Sequence, residues 1–222
     1  MTRPDEPDVT GPYDAIRRRA RECRVVVFDL DGVIREFGPA TTEQIAADLG
    51  LTARAFLELA FADDLIEPVI VGRRTFVRWC ELIVDELVAR GIAGDAAQEA
   101  VRRWVADRGV PVAETLELIS ELEADGKQVF VFTNGTDNIP AELRQIGLDH
   151  LTDVVLNSAV LGHRKPHDQA YAVAHAAIEA HLQGSVAPAR VLFTDDRTAN
   201  VEAARRFGWQ AVHFDAGVRT DV

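Results

Sequence analysis

The side chains best suited to chemistry in this 222-residue chain fall in four short segments. Asp29 and Asp31 flank Leu30 at the end of the apolar run that starts at Cys23, giving Phe28-Asp29-Leu30-Asp31-Gly32. Thr133-Asn134-Gly135 ends the run KQVFVFT, Lys165-Pro166 follows a shorter apolar segment, and Thr194-Asp195-Asp196 ends RVLFT. Two carboxylates so spaced suit a nucleophile with an acid/base partner. Gathered together, the four carboxylates would need a counter-ion, since two of them about 4 Å apart repel by roughly 4 kcal/mol at an effective dielectric of ~20. Oxygen-only donors without a nearby Cys/His set favour Mg²⁺, which retains waters and bridges to phosphate. Lys165, one of two lysines beside Lys127, would supply the remaining positive charge.

Each segment alone has a plainer reading. Asp31-Gly32 between strand-like residues is a hairpin-turn signal, although that leaves Asp29 unpaired in a buried strand. Thr133-Asn134-Gly135 reads equally as a turn, and Lys165-Pro166 as a solvated loop. Asp195-Asp196 reads as a helix cap with an acidic first turn. What favours the sharper reading is where all four sit. Residues 23–30 read as a strand buried on both faces. Helical periodicity then fills 41–61, 74–90 and 95–108 without another strand. After Pro111, helices (112–125, 138–146, 167–181, 199–207) alternate with strands (127–133, 153–157, 190–194, 210–214). Such alternation predicts an α/β fold: a doubly wound parallel sheet core with an all-helical cap domain inserted after the first strand. The expected parts are a flexible acidic leader and first helix over 1–22, a core of 23–35 plus 111–222, and a cap of 36–110. Ligands of such sheets bind at the carboxyl ends of the strands, where all four segments lie.

Composition narrows the partners. A net charge of −12 argues against a nucleic-acid binder, and the arginines at 17, 18, 19 and 21 read as a solvated helix face. No apolar run approaches a bilayer span, and residues 1–10 lack the signal-peptide pattern, so a cytoplasmic location is expected. Cys23 and Cys80 read as reduced packing thiols, and Trp79 and Trp104 as core. The oligomeric state is not legible.

In order and placement, the four segments resemble the four motifs of the haloacid dehalogenase superfamily, and 36–110 resembles the helical cap of one large branch. The resemblance covers roughly 23–35 and 111–215. It implies Asp29 as a nucleophile that becomes an aspartyl-phosphate, and Asp31 as the acid/base whose backbone carbonyl also meets Mg²⁺. It implies Thr133, Asn134 (through its backbone) and Gly135 around the phosphoryl oxygens, and Lys165 neutralising nucleophile and phosphate. Asp196 would ligate the metal directly, with Asp195 a ligand or the holder of its water. Members named for dehalogenation lack the second aspartate, so Asp31 points to phosphorus chemistry on a small phosphorylated metabolite. A sugar phosphomutase is the alternative, and a non-catalytic binding protein the third reading. Two departures stand out. His167-Asp168 replaces an acidic-proline pair, and Arg35-Glu36 replaces short polar or acidic residues after the first motif.

Overall fold

Burial on both faces dictates the centre of the molecule. Strand β1 (Val25–Phe28) is wholly buried, and its β-branched residues alternate between two layers of helices. The computed structural model describes residues 11–215; the leader expected over residues 1–10 lies outside the described residues. A two-residue strand β2 (Arg35–Glu36) follows β1 and pairs antiparallel with β3 (Val110–Pro111). The chain then lays down β4 (Gln128–Thr133), β5 (Val155–Asn157), β6 (Val191–Asp195) and β7 (Gln210–His213). The five long-range strands form one parallel sheet in the order β5-β4-β1-β6-β7. The chain therefore builds outward on one side of β1 and returns to build on the other, which creates a crevice at the carboxyl ends of β1, β4 and β6.

Strand alternation decides which helix covers which face. Val26, Phe28, Val131 and Leu192 pack with Ile16, Ile119 and Leu143 from helices Pro12–Ala20, Ala113–Ala124 and Ile139–Gln145. Val25, Val27, Phe132 and Phe193 pack on the opposite face with Tyr171, Ile178 and Val201 from Asp168–Leu182 and Thr198–Phe207. This is the doubly wound core that the alternation predicts.

Between β2 and β3 the described chain is helical, with a core of its own around Phe56, Trp79, Ile83, Leu87 and Val101. Trp79 fits there by donating its indole N–H to the Ala60 carbonyl at 2.9 Å. Five helices stand where periodicity suggests three: Ala40–Asp48, Ala53–Ala60, Asp63–Ile70, Phe76–Ala89 and Gly94–Ala106. The continuous helix expected over 41–61 breaks because Gly50 takes a left-handed φ of 70° and Thr52 starts a new helix by accepting from the Ala55 N–H at 3.1 Å. None of the described helices is long and apolar enough to cross a membrane. Both cysteines are free, Cys23 in the core and Cys80 half-buried in the insert.

The insert returns to the core at the crevice rim. The Phe76 N–H donates to Asp137 Oδ1 at 2.7 Å, and Arg164 pairs with Glu67 at 3.0 Å. At Gly72 the two parts meet so closely that a Cβ would lie 2.1 Å from the Ala159 carbonyl oxygen, and φ there is +73°. A side chain at this point meets both a backbone clash and left-handed strain of about 1–2 kcal/mol. Gly72→Ala is expected to lower Tm by roughly 5 °C, at ~2–4 °C per kcal/mol for a chain of this size, as read by calorimetry.

Candidate active site

Three strand ends and one loop supply the groups in the crevice. Asp29 follows β1, Thr133 ends β4 with Asn134 next to it, and Asp195 closes β6, followed by Asp196. The fourth segment, Lys165-Pro166, lies in the loop before helix Asp168–Leu182. Asn134 carries it there: its amide oxygen accepts from the Lys165 N–H at 2.8 Å, and its Nδ2 donates to the Lys165 carbonyl at 2.9 Å. Parallel pairing of β4 with β1 then brings Lys165 beside Asp29.

Lys165 is the best-buried cation of the site, 1% exposed. An ammonium has three N–H donors, and here all are used: on Asp29 Oδ1 at 2.8 Å, Asp195 Oδ2 at 2.7 Å and the Phe132 carbonyl at 2.7 Å. The rings of Phe132 and Phe193 flank it at 5.2 and 5.3 Å. Burial disfavours the charged ammonium, yet Asp29 and Asp195 outweigh it and hold the Lys165 pKa above its ordinary value. Burial also works against charge on Asp195, but Lys165, the Arg197 N–H (2.8 Å) and the Asn200 amide (3.0 Å to each oxygen) prevail and lower its pKa. Asp29 lacks that support. Burial exceeds the pull of Lys165, Asp195 pushes the same way, and its carboxyl rises to about 8.

Asp29, Asp195 and Asp196 each present a carboxylate oxygen, all within 4.8 Å of one another. At that distance each pair of charges repels by about 3.5 kcal/mol at an effective dielectric of ~20, and one ammonium cannot balance three carboxylates. The donor set is all oxygen and partly buried, which fits a hard divalent cation. This cluster is a candidate metal site. The Asp31 carboxylate is held instead by Arg35, whose Nε lies 2.5 Å from Oδ1, and it remains 48% exposed.

The other expected residues divide by role. Thr133 is buried at the end of β4. Gly135 is pressed against Ile139, where a Cβ would approach Cγ1 to 2.4 Å, so its smallness serves the turn into the following helix. Sequence alone singles out neither Asn200, Glu142 nor Arg108, and Arg35 only as a departure after the first motif. Asn200 is the third residue of helix Thr198–Phe207 and fixes Asp195, and an asparagine five residues past a strand-end aspartate is the signal that was present for it. Arg35, Glu142 and Arg108 form an ion-pair chain, with Arg35 Nη2 2.9 Å from Glu142 Oε2 and Arg108 Nη1 3.2 Å from Glu142 Oε1. Glu142 lies one hundred and seven positions beyond Arg35 in sequence, and no local pattern links them.

A model of the haloacid dehalogenase-like hydrolase family matches residues 23–208, and the chain belongs to that family of enzymes. Its solved likenesses include a HAD family enzyme from Bacteroides thetaiotaomicron, in complex with magnesium and inorganic phosphate. That match has a TM-score of 0.65 and 16% identity, over 89% of this chain and 97% of that one. An L-2-haloacid dehalogenase from Xanthobacter autotrophicus with chloropropionic acid covalently bound aligns at a TM-score of 0.61 and 19% identity, over 86% and 77%. These two likenesses bear on the fold alone. Among curated proteins, a ribulose-1,5-bisphosphate 5-phosphatase from Halopiger xanaduensis is 30% identical over 111 residues, which spans 50% of this chain and 44% of that protein's length.

Two measurements check the electrostatics. Lys165→Met leaves buried carboxylates without their cation, and a loss of about 3–5 kcal/mol is expected, hence a Tm drop of roughly 10 °C. The Asp29 carboxyl has its folded pKa, about 8, above its ordinary 3.8, so between those values the folded protein holds more protons than the unfolded. In chelator-treated protein this group therefore makes stability fall as pH rises through that window. Calorimetry from pH 5 to 8 is expected to show a shallower fall for Asp29→Asn than for the parent.

Proposed function

We propose that this hydrolase cleaves phosphomonoesters of small metabolites through an aspartyl-phosphate on Asp29, with Mg²⁺ as its cofactor. The observation that carries this reading is the way Lys165 holds Asp29. The Lys165 ammonium and the Leu30 N–H both contact Oδ1, at 2.8 Å each, which leaves Oδ2 to meet phosphorus. Asp31, two residues on and half-exposed, is the second carboxylate that departure of an alkoxide requires.

In this scheme Oδ2 of Asp29 forms the bond to phosphorus while the ester P–O bond breaks, and the departing oxygen takes a proton from Asp31. Asp31, now ionised, takes a proton from water as that water attacks phosphorus, and the Asp29 carboxylate is regenerated. Lys165 holds Asp29 oriented and balances charge as the phosphoryl group arrives. Thr133 and the backbone of Asn134 and Gly135 stand at the strand end to receive phosphoryl oxygens. Mg²⁺ would be held by Asp29, Asp196 and the Asp31 carbonyl, where it would offset the phosphate's negative charge. Asp195 already accepts from Lys165, Arg197 and Asn200, so its part is to fix the lysine and the loop beside the metal.

The family context supports this choice among neighbouring chemistries. A phosphatase of a sugar bisphosphate is among the relatives, and a family enzyme was solved with magnesium and phosphate. Carbon–halogen cleavage also occurs on this fold, but it has no use for the proton that Asp31 delivers. Purified protein is expected to release phosphate from 4-nitrophenyl phosphate with Mg²⁺, to stop on chelation, and to release no halide from 2-chloropropionate. Asp29→Asn should abolish turnover, and Asp31→Asn should reduce it by about 10²–10⁴-fold. Full activity in Asp29→Asn would remove the assigned nucleophile. Isomerisation of a hexose phosphate without net phosphate release would turn the reading toward a mutase.

A further inference from the structure

The chemistry assigned to Asp31 leaves one cation unexplained. Arg35 is 3% exposed, carries a full charge, and has no part in the scheme above. Its guanidinium is gripped on every side. Nε reaches Asp31 Oδ1 at 2.5 Å, Nη2 reaches Glu142 Oε2 at 2.9 Å, Nη1 reaches the Arg108 carbonyl at 3.4 Å, and the plane lies over the Phe37 ring at 5.0 Å. Glu142 is itself fixed, since Asn138 Nδ2 and Arg108 Nη1 donate to its other oxygen at 3.0 and 3.2 Å. Among the charged members Asp31 alone is half-exposed, while Arg35, Glu142 and Arg108 are largely buried. Within this group the arginine is the anchored member, and the aspartate is the one with freedom to lose.

The backbone adds to the grip. The Arg35 N–H donates to the Leu30 carbonyl at 2.9 Å and its carbonyl accepts from Gly32 at 2.7 Å, closing a turn around Asp31 in which Gly32 takes a φ of 83°. Arg35 is also the first residue of β2, the strand that leads into the helical insert. A solvated aspartate samples several χ1 wells, whereas a general acid must meet one leaving oxygen at hydrogen-bond distance. Glu142 is shared between Arg35 and Arg108, so Asp31 also helps to balance the arginine's buried charge; what burial does not require is that this partner be a half-exposed carboxylate at the end of β1.

We propose that Arg35 is the positioning residue of the acid/base. Held by Glu142 and Phe37, it fixes the Asp31 carboxylate at the mouth of the crevice and ties its orientation to the strand that carries the insert. This rests on the phosphomonoesterase reading, in which Asp31 protonates the leaving group. The consequence is specific, because an acid matters most when the leaving oxygen is basic and least when it departs readily as an anion.

The test is a leaving-group series of aryl phosphates, from 2,4-dinitrophenyl to unsubstituted phenyl, with the Mg²⁺-loaded full chain. Arg35→Met is expected to lower kcat/KM about 100-fold on phenyl phosphate and less than about 10-fold on the dinitrophenyl ester, steepening the dependence on leaving-group acidity. Arg35→Lys, which keeps the charge but not the fork, should recover part of the loss. Added to Asp31→Asn, Arg35→Met should cost little more, because both act through one carboxylate. An equal loss on every ester, or losses that add in the double variant, would overturn the proposal by reducing Arg35 to a structural role. Should Arg35→Met fail to fold, Glu142→Gln loosens the guanidinium without removing it. A smaller steepening is then expected, and an unchanged slope would refute the idea. A parent enzyme inactive on the whole series would instead refute the phosphatase reading, and this proposal with it.

Discussion

The structure turns on one ammonium group placed where three strands end. Lys165 satisfies its three donors on Asp29, Asp195 and the Phe132 carbonyl, and so joins the loop before helix Asp168–Leu182 to β1, β4 and β6. Two buried carboxylates at the centre of a sheet are tolerable only because this cation lies between them. Its grip is uneven, however. Asp195 has the Asn200 amide and the Arg197 N–H as well, while among the described residues Asp29 adds the Leu30 N–H alone. The site therefore holds one carboxylate that is fully stabilised and one that is not, and the poorly stabilised one faces the crevice. In the chemistry proposed above, the carboxylate that its surroundings leave less stabilised is the one that attacks.

The second organising element is the turn from Leu30 to Glu36. Its Asp-Gly pair makes a tight turn, as the hairpin signal suggests, but the chain leaving it pairs with β3 and not with β1. The turn thus places Asp31 just beyond the strand end, on Arg35, while directing the chain into the helical insert. The same few residues carry Asp31 and form the joint to the insert. Contacts at Asp137, Arg164 and Ala159 then bring the insert against the core near the carboxyl ends of the strands.

Much of this was legible in the chain because it depends on local pattern. The apolar run before Asp29, the alternation after Pro111 and the strand-end placement of four polar segments suffice for the parallel sheet and for the gathering of Asp29, Lys165, Asp195 and Asp196. What could not be read is of another kind. The break at Gly50–Thr52 is a contest between helical periodicity and a local cap, and periodicity counts only one side of it. The two-residue ribbon of β2 and β3 is too short to leave any alternation. Asn134 looks like a turn residue until its amide is seen to hold both backbone groups of Lys165. The Arg35–Glu142–Arg108 chain joins residues distant in sequence, whose charges look like ordinary surface charges until the fold buries them.

The ribbon of β2 and β3 has a bearing on how the chain finds this structure. Strands β1 and β4 pair from Val25 with Gln128, so the central contact of the sheet joins residues about a hundred positions apart. Closing a loop that long costs entropy before any strand contact repays it. In the ribbon, however, Arg35 lies opposite Pro111 and the Val112 N–H donates to the Ile34 carbonyl at 2.8 Å. Once the insert has collapsed on its own core and zipped its two ends together, the chain runs from one central strand to the other as though the intervening helices were a short turn. The excursion into the helical insert is thereby nearly invisible to the folding of the sheet beneath it.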